Sequence, residues 1–410
     1  MPKVTFSNAR LICSLLAASL CGCSTIASSA QPPVPSFRPQ AEIPQPALDG
    51  PAYRILHKFG GSGDGWFPAS ALINVKGTLY GTTARGGSNN AGTVYSITKS
   101  GEETVLHSFG APGDGAQPYA PLVYVNGSLY GTTSAGGTNN VGVVFSITPA
   151  GVEKVLHTFG PLQGPDGAVP YAGLINVRGT LYGTTSQGGL YEECPGRLTC
   201  GTVFSITTSG VEAVVYSFGH RVNDGFAPVA ALLNDHGTLY GTTSEGGNFG
   251  RGTIFEITYG SFTSLYSFGA NRFFDGTAPS SALIDVNGSL YGTTTNGGAY
   301  SDGGTVFNIT KGGRREKVIH SFNGADGGWP TAGLIDVQGI LYGATSQGGM
   351  KNVGTIFSMT TSGKEKVLLS FGNGSGKHPV ASLFELGGTL YGTTYGVTSH
   401  RSGNVFALTP

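Results

Sequence analysis

The chain has 410 residues, with 23 basic and 23 acidic side chains in balance and only 11% charged residues. That balance leaves no basic footprint for nucleic acid, and no long Ala/Glu/Lys/Leu run reads as helix. Glycine, at 69 residues, is about twice its usual share without a collagen period, so it serves turns and tight strand contacts in a β-rich chain.

The N-terminus reads as an address. Lys3 and Arg10 flank the start of an apolar run, Leu11 to Leu20, which is too short to span a bilayer and suits a signal-peptide core. Leu20-Cys21-Gly22-Cys23 is similar to a bacterial lipobox: Leu, a small residue just before the cut, then Cys. The resemblance implies that residues 1–22 are removed and that Cys23 is lipidated on its thiol and its new amine. Two or more acyl chains hold a protein on a membrane, whereas one binds only marginally. Ser24 after that Cys implies the outer membrane or cell surface. Ordinary secretion, with cleavage after Ala30, is the alternative. Residues 23–52 are rich in Ser, Ala, Gln and Pro, including Pro32, Pro33, Pro35, Pro39, Pro44 and Pro46. They cannot bury enough apolar surface to fold and form a semi-extended tether.

From residue 53 the chain is repetitive. Leu79-Tyr80-Gly81-Thr82-Thr83 recurs about every 50 residues, around Tyr130, Tyr182, Tyr240, Tyr291, Tyr342 and Tyr391. Each copy reads as four strands. Strand a begins at a proline: Pro68, Pro118, Pro170, Pro228, Pro279, Pro330 or Pro379. An x-Gly turn such as Lys76-Gly77 or Asn126-Gly127 leads to strand b, the Leu-Tyr-Gly-Thr-Thr stretch. A Gly-Gly loop leads to strand c, which begins at Gly92, Gly142, Gly201, Gly252, Gly304, Gly354 or Gly403. Strand d follows, as in Val105 to Phe109, and an Asp-Gly-x-x-Pro loop crosses to the next copy. Proline, lacking an N–H, suits an edge, which places strand a innermost, with the small residues Ser70, Ala120, Ala172, Ala230, Ser281, Ala332 and Ala381 at the axis. The reading is an all-β, seven-bladed β-propeller over residues 53–410, with four antiparallel strands per blade. Tyr53 to Phe59 is a strand d without its a, b or c, and the last copy stops after strand c. The N-terminal strand is therefore expected to close the last blade and remove both loose edges.

Gly201-Thr202-Val203-Phe204-Ser205-Ile206-Thr207, Asp-Gly-x-x-Pro and Leu-Tyr-Gly-Thr-Thr-x-x-Gly-Gly resemble the Gloeo/Verruco (GloVer) tandem repeat over about residues 53–410. The resemblance implies a bacterial surface protein, in a family with varied anchors, and it carries no established activity. The seventh copy departs from the pattern, with Gly374-Ser375-Gly376 in place of Asp-Gly and Tyr395-Gly396-Val397 in place of the Gly-Gly loop.

Candidate chemistry is sparse. Asp64, Asp114, Asp166, Asp224, Asp275 and Asp326 each precede their Pro by four positions and read as acceptors within their own turns. Spread around a ring, they cannot share one ion. His57, His107, His157 and His320 share a strand-d position with Tyr216, Tyr266 and Leu369, which reads as packing. No His-Glu-x-x-His or Gly-x-Ser-x-Gly motif occurs, and no metal or cofactor is assigned. Cys194 and Cys200 lie in the longest insertion, and an extracellular setting permits a disulfide; a free thiol pair or a metal site with further ligands are the alternatives. The d–a loops differ from copy to copy, holding Trp66, Phe67, Gln117, Tyr119, Tyr171, Phe226, Trp329, Lys377 and His378. Exposed aromatics on one polar rim suit a sugar face or a protein partner; otherwise they plug the channel or cover the blade tops. The expected function is a non-catalytic surface binding or scaffold module. The alternative is a polysaccharide hydrolase or lyase with its site at the propeller axis.

Overall fold

A computed structural model of the chain describes residues 51–410, except 192–193, 195–198, 222, 272–273, 301–302, 314–315, 373 and 397–401. The segments expected from sequence to be a signal peptide and a tether, with Cys23 between them, lie outside the described residues as far as Gly50. From Pro51 to Pro410 the chain forms a single compact unit. Among the described residues there are strands and no helix, arranged as seven sheets of four antiparallel strands in the order a-b-c-d. Blade 1 consists of Ile73–Val75, Thr78–Thr83, Thr93–Ile97 and Glu103–Ser108. Blades 2 to 6 repeat this plan along the chain.

Blade 7 is made from both ends of the chain. Phe384–Leu386, Thr389–Thr394 and Asn404–Thr409 supply strands a to c, and Ala52–Lys58 supplies strand d. The closing pair runs from Ala52 opposite Thr409 to Lys58 opposite Asn404, with a bulge between Ile55 and His57. Blade 1 skips one residue at the same place, since Val94 faces His107 while Tyr95 faces Val105. The N-terminal segment is thus built as a strand d, as its sequence implied.

Strand a is shorter than the sequence suggests. Its paired residues begin at Ile73, not at Pro68. The preceding carbonyls turn sideways to the neighbouring blade. Thr82 Oγ1 donates to the carbonyls of Pro118 and Ala120, both at 3.2 Å. Thr132, Thr184, Thr242 and Thr293 do the same to the carbonyls of Ala172, Ala230, Ser281 and Ala332 of the following blade, respectively. Thr393 completes the circle on the carbonyl of Ser70. Blade 6 has Ala344 at this position and lacks the hydroxyl.

Each residue of the Leu-Tyr-Gly-Thr-Thr motif has its own structural task. Its Leu is core, as with the fully buried Leu79 and Leu129. Its Gly makes room for an aromatic ring: a Cβ on Gly81, Gly131, Gly183, Gly241, Gly292, Gly343 or Gly392 would lie within 2.6 Å of the strand-c Tyr or Phe beside it. Its first Thr fastens the next blade. Its second Thr pairs with the first Thr of strand c, as in Thr83–Thr93 at 2.8 Å.

The core is divided among the blade interfaces. Phe59, Phe109, Phe159, Phe218, Phe268, Phe322 and Phe371, each at the end of a strand d, meet the strand-c ring of the next blade edge to face at 5.0–5.7 Å. Phe59, Leu72, Leu79 and Tyr95 share one cluster with Tyr391, Val405 and Ala407, so the seventh interface is as apolar as the rest. Each such ring contributes about 1.5–3 kcal/mol through burial, and the edge-to-face geometry about 0.5–1.5 kcal/mol more.

Candidate binding face and blade joints

The d–a loops pair with the b–c loops of their own blades. Gly65 and Trp66 face Gly86 and Arg85 in a two-residue ladder, and Gly115 and Ala116 face Gly136 and Ala135 in the same way. In every d–a loop the residue before proline has a left-handed backbone, with φ between 54° and 61°: Phe67, Gln117, Val169, Ala227, Ala278, Trp329 and His378. Such a conformation is costly for a residue with a side chain, by about 1–3 kcal/mol. The geometry explains why it persists. The N–H of each donates to the preceding blade, as from Gln117 to the carbonyl of Ala91 (2.7 Å) and from His378 to that of Val353 (2.8 Å), while its carbonyl accepts from its own blade. Four candidate residues, Phe67, Gln117, Trp329 and His378, occupy these joints. Their backbones carry the structural task that Val169, Ala227 and Ala278 perform equally well, so their side chains are free to differ.

Some of those side chains gather and others do not. Phe67 is buried, stacked on Tyr395 at 4.0 Å and 11°, with the Trp66 ring tilted against it at 4.5 Å. Tyr119 and Tyr171 are 5.6 Å apart. Burial pushes the Tyr395 hydroxyl pKa up, Tyr119 adds to the rise and Arg85 opposes it. Burial likewise raises Tyr119, again against Arg85, which places Arg85 near both hydroxyls. The Tyr395 Oη is enclosed with no hydrogen-bond partner among the described residues. Trp66, Phe67, Tyr395, Arg85, Tyr119 and Tyr171 thus form an aromatic crescent over blades 7, 1, 2 and 3.

The remaining candidates stand apart from it. Phe226 is buried in the core cluster that includes Cys194 and Cys200. Trp329 is 37% exposed. Lys377 is exposed, and the His378 ring bonds the Ser346 carbonyl through Nδ1 at 2.7 Å. A groove of about 460 Å³, lined by residues such as Val337, Gln338, Phe384 and Glu385, lies by the a–b turns of blades 6 and 7, at the opposite end of strand a from the crescent.

Two crescent residues, Arg85 and Tyr395, lie outside the set of ligand contacts expected from sequence. The internal repeat carries the signal for both. Tyr395 occupies a position that is Ala84, Ser134, Ser186, Ser244, Thr295 or Ser346 elsewhere, and Arg85 one that is Ala135, Gln187, Glu245, Asn296, Gln347 or Gly396.

The Asp and His residues turn out to be one device. Each Asp does accept from its own turn, as from Gly60 N to Asp64 (3.1 Å) and Gly110 N to Asp114 (3.1 Å). The strand-d residue, read from sequence as packing, binds that same carboxylate. His57, His107, His157 and His320 lie 3.0–3.2 Å from Asp64, Asp114, Asp166 and Asp326. The hydroxyls of Tyr216 and Tyr266 donate to Asp224 and Asp275 at 2.7 Å. A Glu from strand d of the next blade completes most joints: Glu103, Glu153, Glu212, Glu316 or Glu365. These acids had no assigned role, although each stands four positions before the strand-d His, Tyr or Leu. Burial, then the nearby Asp charge, pushes Glu103, Glu212 and Glu316 up to about 7. Burial lowers His107, but its hydrogen bond to Asp114 and the adjacent charges prevail, so its pKa is raised. In the fourth joint Phe262 stands in for Glu and stacks on Tyr216 at 4.3 Å. In the seventh, Tyr53 donates to the Ser375 carbonyl beside Leu369.

Cys194 and Cys200 are juxtaposed for a disulfide, with Cα atoms 5.6 Å apart, inside the usual range.

Seven four-stranded blades, fastened by their loops and closed by the N-terminal strand, define a repeat-built β-propeller, a class that supports binding and scaffolding. Residues 43–195 and 192–406 each match the Gloeobacter/Verrucomicrobia repeat, and the chain belongs to that family. No curated protein sequence is a significant match. Among solved structures, the chain is similar to a puromycin-hydrolysing peptidase of Mycobacterium tuberculosis, at 12% identity and TM-score 0.48, over 79% of this chain and 49% of that one. It is similar to TolB of Acinetobacter baumannii at 13% identity and TM-score 0.40, over 71% and 63%. It is also similar to a luciferin-regenerating enzyme at 12% identity and TM-score 0.43, over 88% and 96%. The chain spans about half the length of the first and under two thirds of the second. Likeness at this level says nothing about activity.

Proposed function

We propose that this chain is a surface lipoprotein, anchored through Cys23, whose propeller binds carbohydrate without turning it over. The observation that carries the reading is the aromatic crescent. Trp66, Tyr119 and Tyr171 are only partly buried, and they stand on a blade edge next to the cation of Arg85. Flat rings offer large contact area at low entropic cost, and Tyr adds a polar handle for sugar hydroxyls. The stacked Phe67 and Tyr395 rings pack beside Trp66. Residues 23–52 would hold this face away from the bilayer.

The test is a glycan array followed by calorimetry on the best hit, with Trp66→Ala and Tyr119→Ala as variants. Loss of one aromatic anchor costs about 1.4 kcal/mol or more, so affinity falls about tenfold or more while the melting temperature holds. A ligand bound equally well by both variants would place recognition elsewhere. Capture of proteins but no glycans would replace the ligand class, and sugar turnover would replace the non-catalytic reading. For the anchor, metabolic labelling with a fatty-acid analogue should mark the wild type and not Cys23→Ala.

A further inference from the structure

The blade joints contain a second kind of site. We propose that the joints formed by His57, Asp64 and Glu103, by His107, Asp114 and Glu153, and by His320, Asp326 and Glu365 each bind a divalent transition-metal ion of the zinc class. In each joint, one imidazole nitrogen and two carboxylate oxygens lie within 4.8 Å of one another. The imidazole Nε2 and the Asp Oδ2 are 3.2, 3.0 and 3.2 Å apart in the three joints. Ligands about 2.0–2.2 Å from a tetrahedral zinc stand at comparable separations from each other.

An independent observation points to a missing partner. Glu103 Oε1, Glu153 Oε1 and Glu365 Oε1 are all enclosed and make no hydrogen bond, as does Asp64 Oδ1. An enclosed carboxylate oxygen without a partner is costly, yet the same atom is orphaned in all three joints; it is orphaned at Glu212 and Glu316 as well, but among the described residues only these three joints bring it together with an imidazole and a second carboxylate. Among the described residues, no lysine or arginine is one of the charged groups acting on these three Glu side chains. The charged groups acting on Glu103 are Asp64 and His57, those on Glu153 are Asp114 and His107, and those on Glu365 are His320 and Asp326. Two carboxylates with a neutral imidazole carry two negative charges, which a dication cancels.

The donor set selects the metal. One nitrogen and two oxygens suit zinc and its neighbours, whereas calcium takes six to eight oxygens and magnesium keeps most of its waters. A solvent molecule would complete the coordination. The His side chains are 21%, 21% and 17% exposed, which gives an ion a route in. Among the described residues the other joints do not bring the set together: the third joint holds His157, Asp166 and Glu212, but their ligand atoms do not all converge within 4.8 Å, Tyr216 and Tyr266 replace the imidazole in two, and Leu369 and Ser375 remove both groups in another. Each ion would bridge consecutive blades, because His and Asp come from one strand d and its following loop, and Glu from strand d of the next blade. At the first joint it would tie the N-terminal strand to blade 1.

The test uses the full chain, stripped with a chelator and titrated with zinc at pH 7.5 by calorimetry and native mass spectrometry. Three zinc ions per chain are expected, with a rise in melting temperature that magnesium does not reproduce. Cobalt should give a visible absorption band from the same joints. His57→Tyr, His107→Tyr and His320→Tyr are the informative variants, because Tyr already fills this position at Tyr216 and Tyr266 and the blades accommodate it. Each should lose one ion, and the triple variant should keep its fold and bind none. His236→Ala, outside the joints, should leave all three in place. Absence of zinc binding by the wild type would overturn the proposal and leave protons as the neutralising species; zinc retained by the triple variant would overturn it as well.

Discussion

Tyr95 stands where the other six blades carry phenylalanine: Phe145, Phe204, Phe255, Phe307, Phe357 and Phe406. Its ring does the same edge-to-face packing, against Phe59 at 5.0 Å, but its hydroxyl is enclosed without a hydrogen-bond partner. Desolvation first, then Glu103 and Asp64, drive its pKa far upward. Removing an unsatisfied buried hydroxyl while keeping the ring recovers about 1 kcal/mol. Tyr95→Phe should therefore raise the melting temperature by about 1–2 °C in a unit of this size, measured by calorimetry. A decrease would mean that the hydroxyl has a partner, such as an enclosed water. Residue by residue, the crescent follows the same logic of departure from the repeat: Tyr395 and Arg85 matter because six other copies put something else there.

At the scale of the element, the strand Ala52–Lys58 has the largest consequence. It pairs with Asn404–Thr409 in the same bulged register as the other strands d. It also carries Tyr53 into the seventh joint and His57 into the first, and Phe59 follows directly into the interface with Tyr95. Deleting residues 52–59 would expose the edge of strand c in blade 7 and empty one aromatic site in the interface with blade 1. The loss of Phe59 alone removes about 1.5–3 kcal/mol of burial, and the open edge invites pairing between chains. The truncated protein should melt at least 10 °C lower and run as oligomers in size-exclusion chromatography; an unchanged monomer with an unchanged melt would deny the closure. Strand a shows what pattern reading misses at this scale. Proline marks its entrance correctly, but the carbonyls after it serve the neighbouring blade, so the ladder with strand b starts only at Ile73.

At the scale of the whole molecule, five joints each hold an enclosed Glu in addition to an Asp. Glu103, Glu212 and Glu316, with pKa values near 7 in the folded state against about 4.3 in an unfolded chain, favour the protonated folded form. Their contribution is present in full below the unfolded value and is lost as pH rises through about 7. In metal-free buffer these three groups should make stability fall between about pH 4.5 and pH 7 and then level off. The triple variant Glu103→Gln, Glu212→Gln, Glu316→Gln should flatten that slope and melt higher than the wild type at pH 8. A wild-type profile that rises across this interval and is unaltered in the triple variant would show the carboxyls to be ordinary exposed acids.

Much of this protein was legible in its sequence because a repeat is its own alignment. Counting copies of Leu-Tyr-Gly-Thr-Thr sets the number of blades, alternation and glycine turns set four strands in each, and a leftover strand d at the front sets the closure. Those features are local, so short-range chemistry specifies them. The joints were not legible, although every member was in view. His57, Asp64 and Glu103 come from a strand of blade 7, the following loop and the start of another strand in blade 1, and only packing one blade on the next brings their side chains within reach of each other. The crescent was half legible for the same reason: the loops could be named from their differences, but the stacking of Phe67 on Tyr395, far apart in the chain, exists only because the ring is closed.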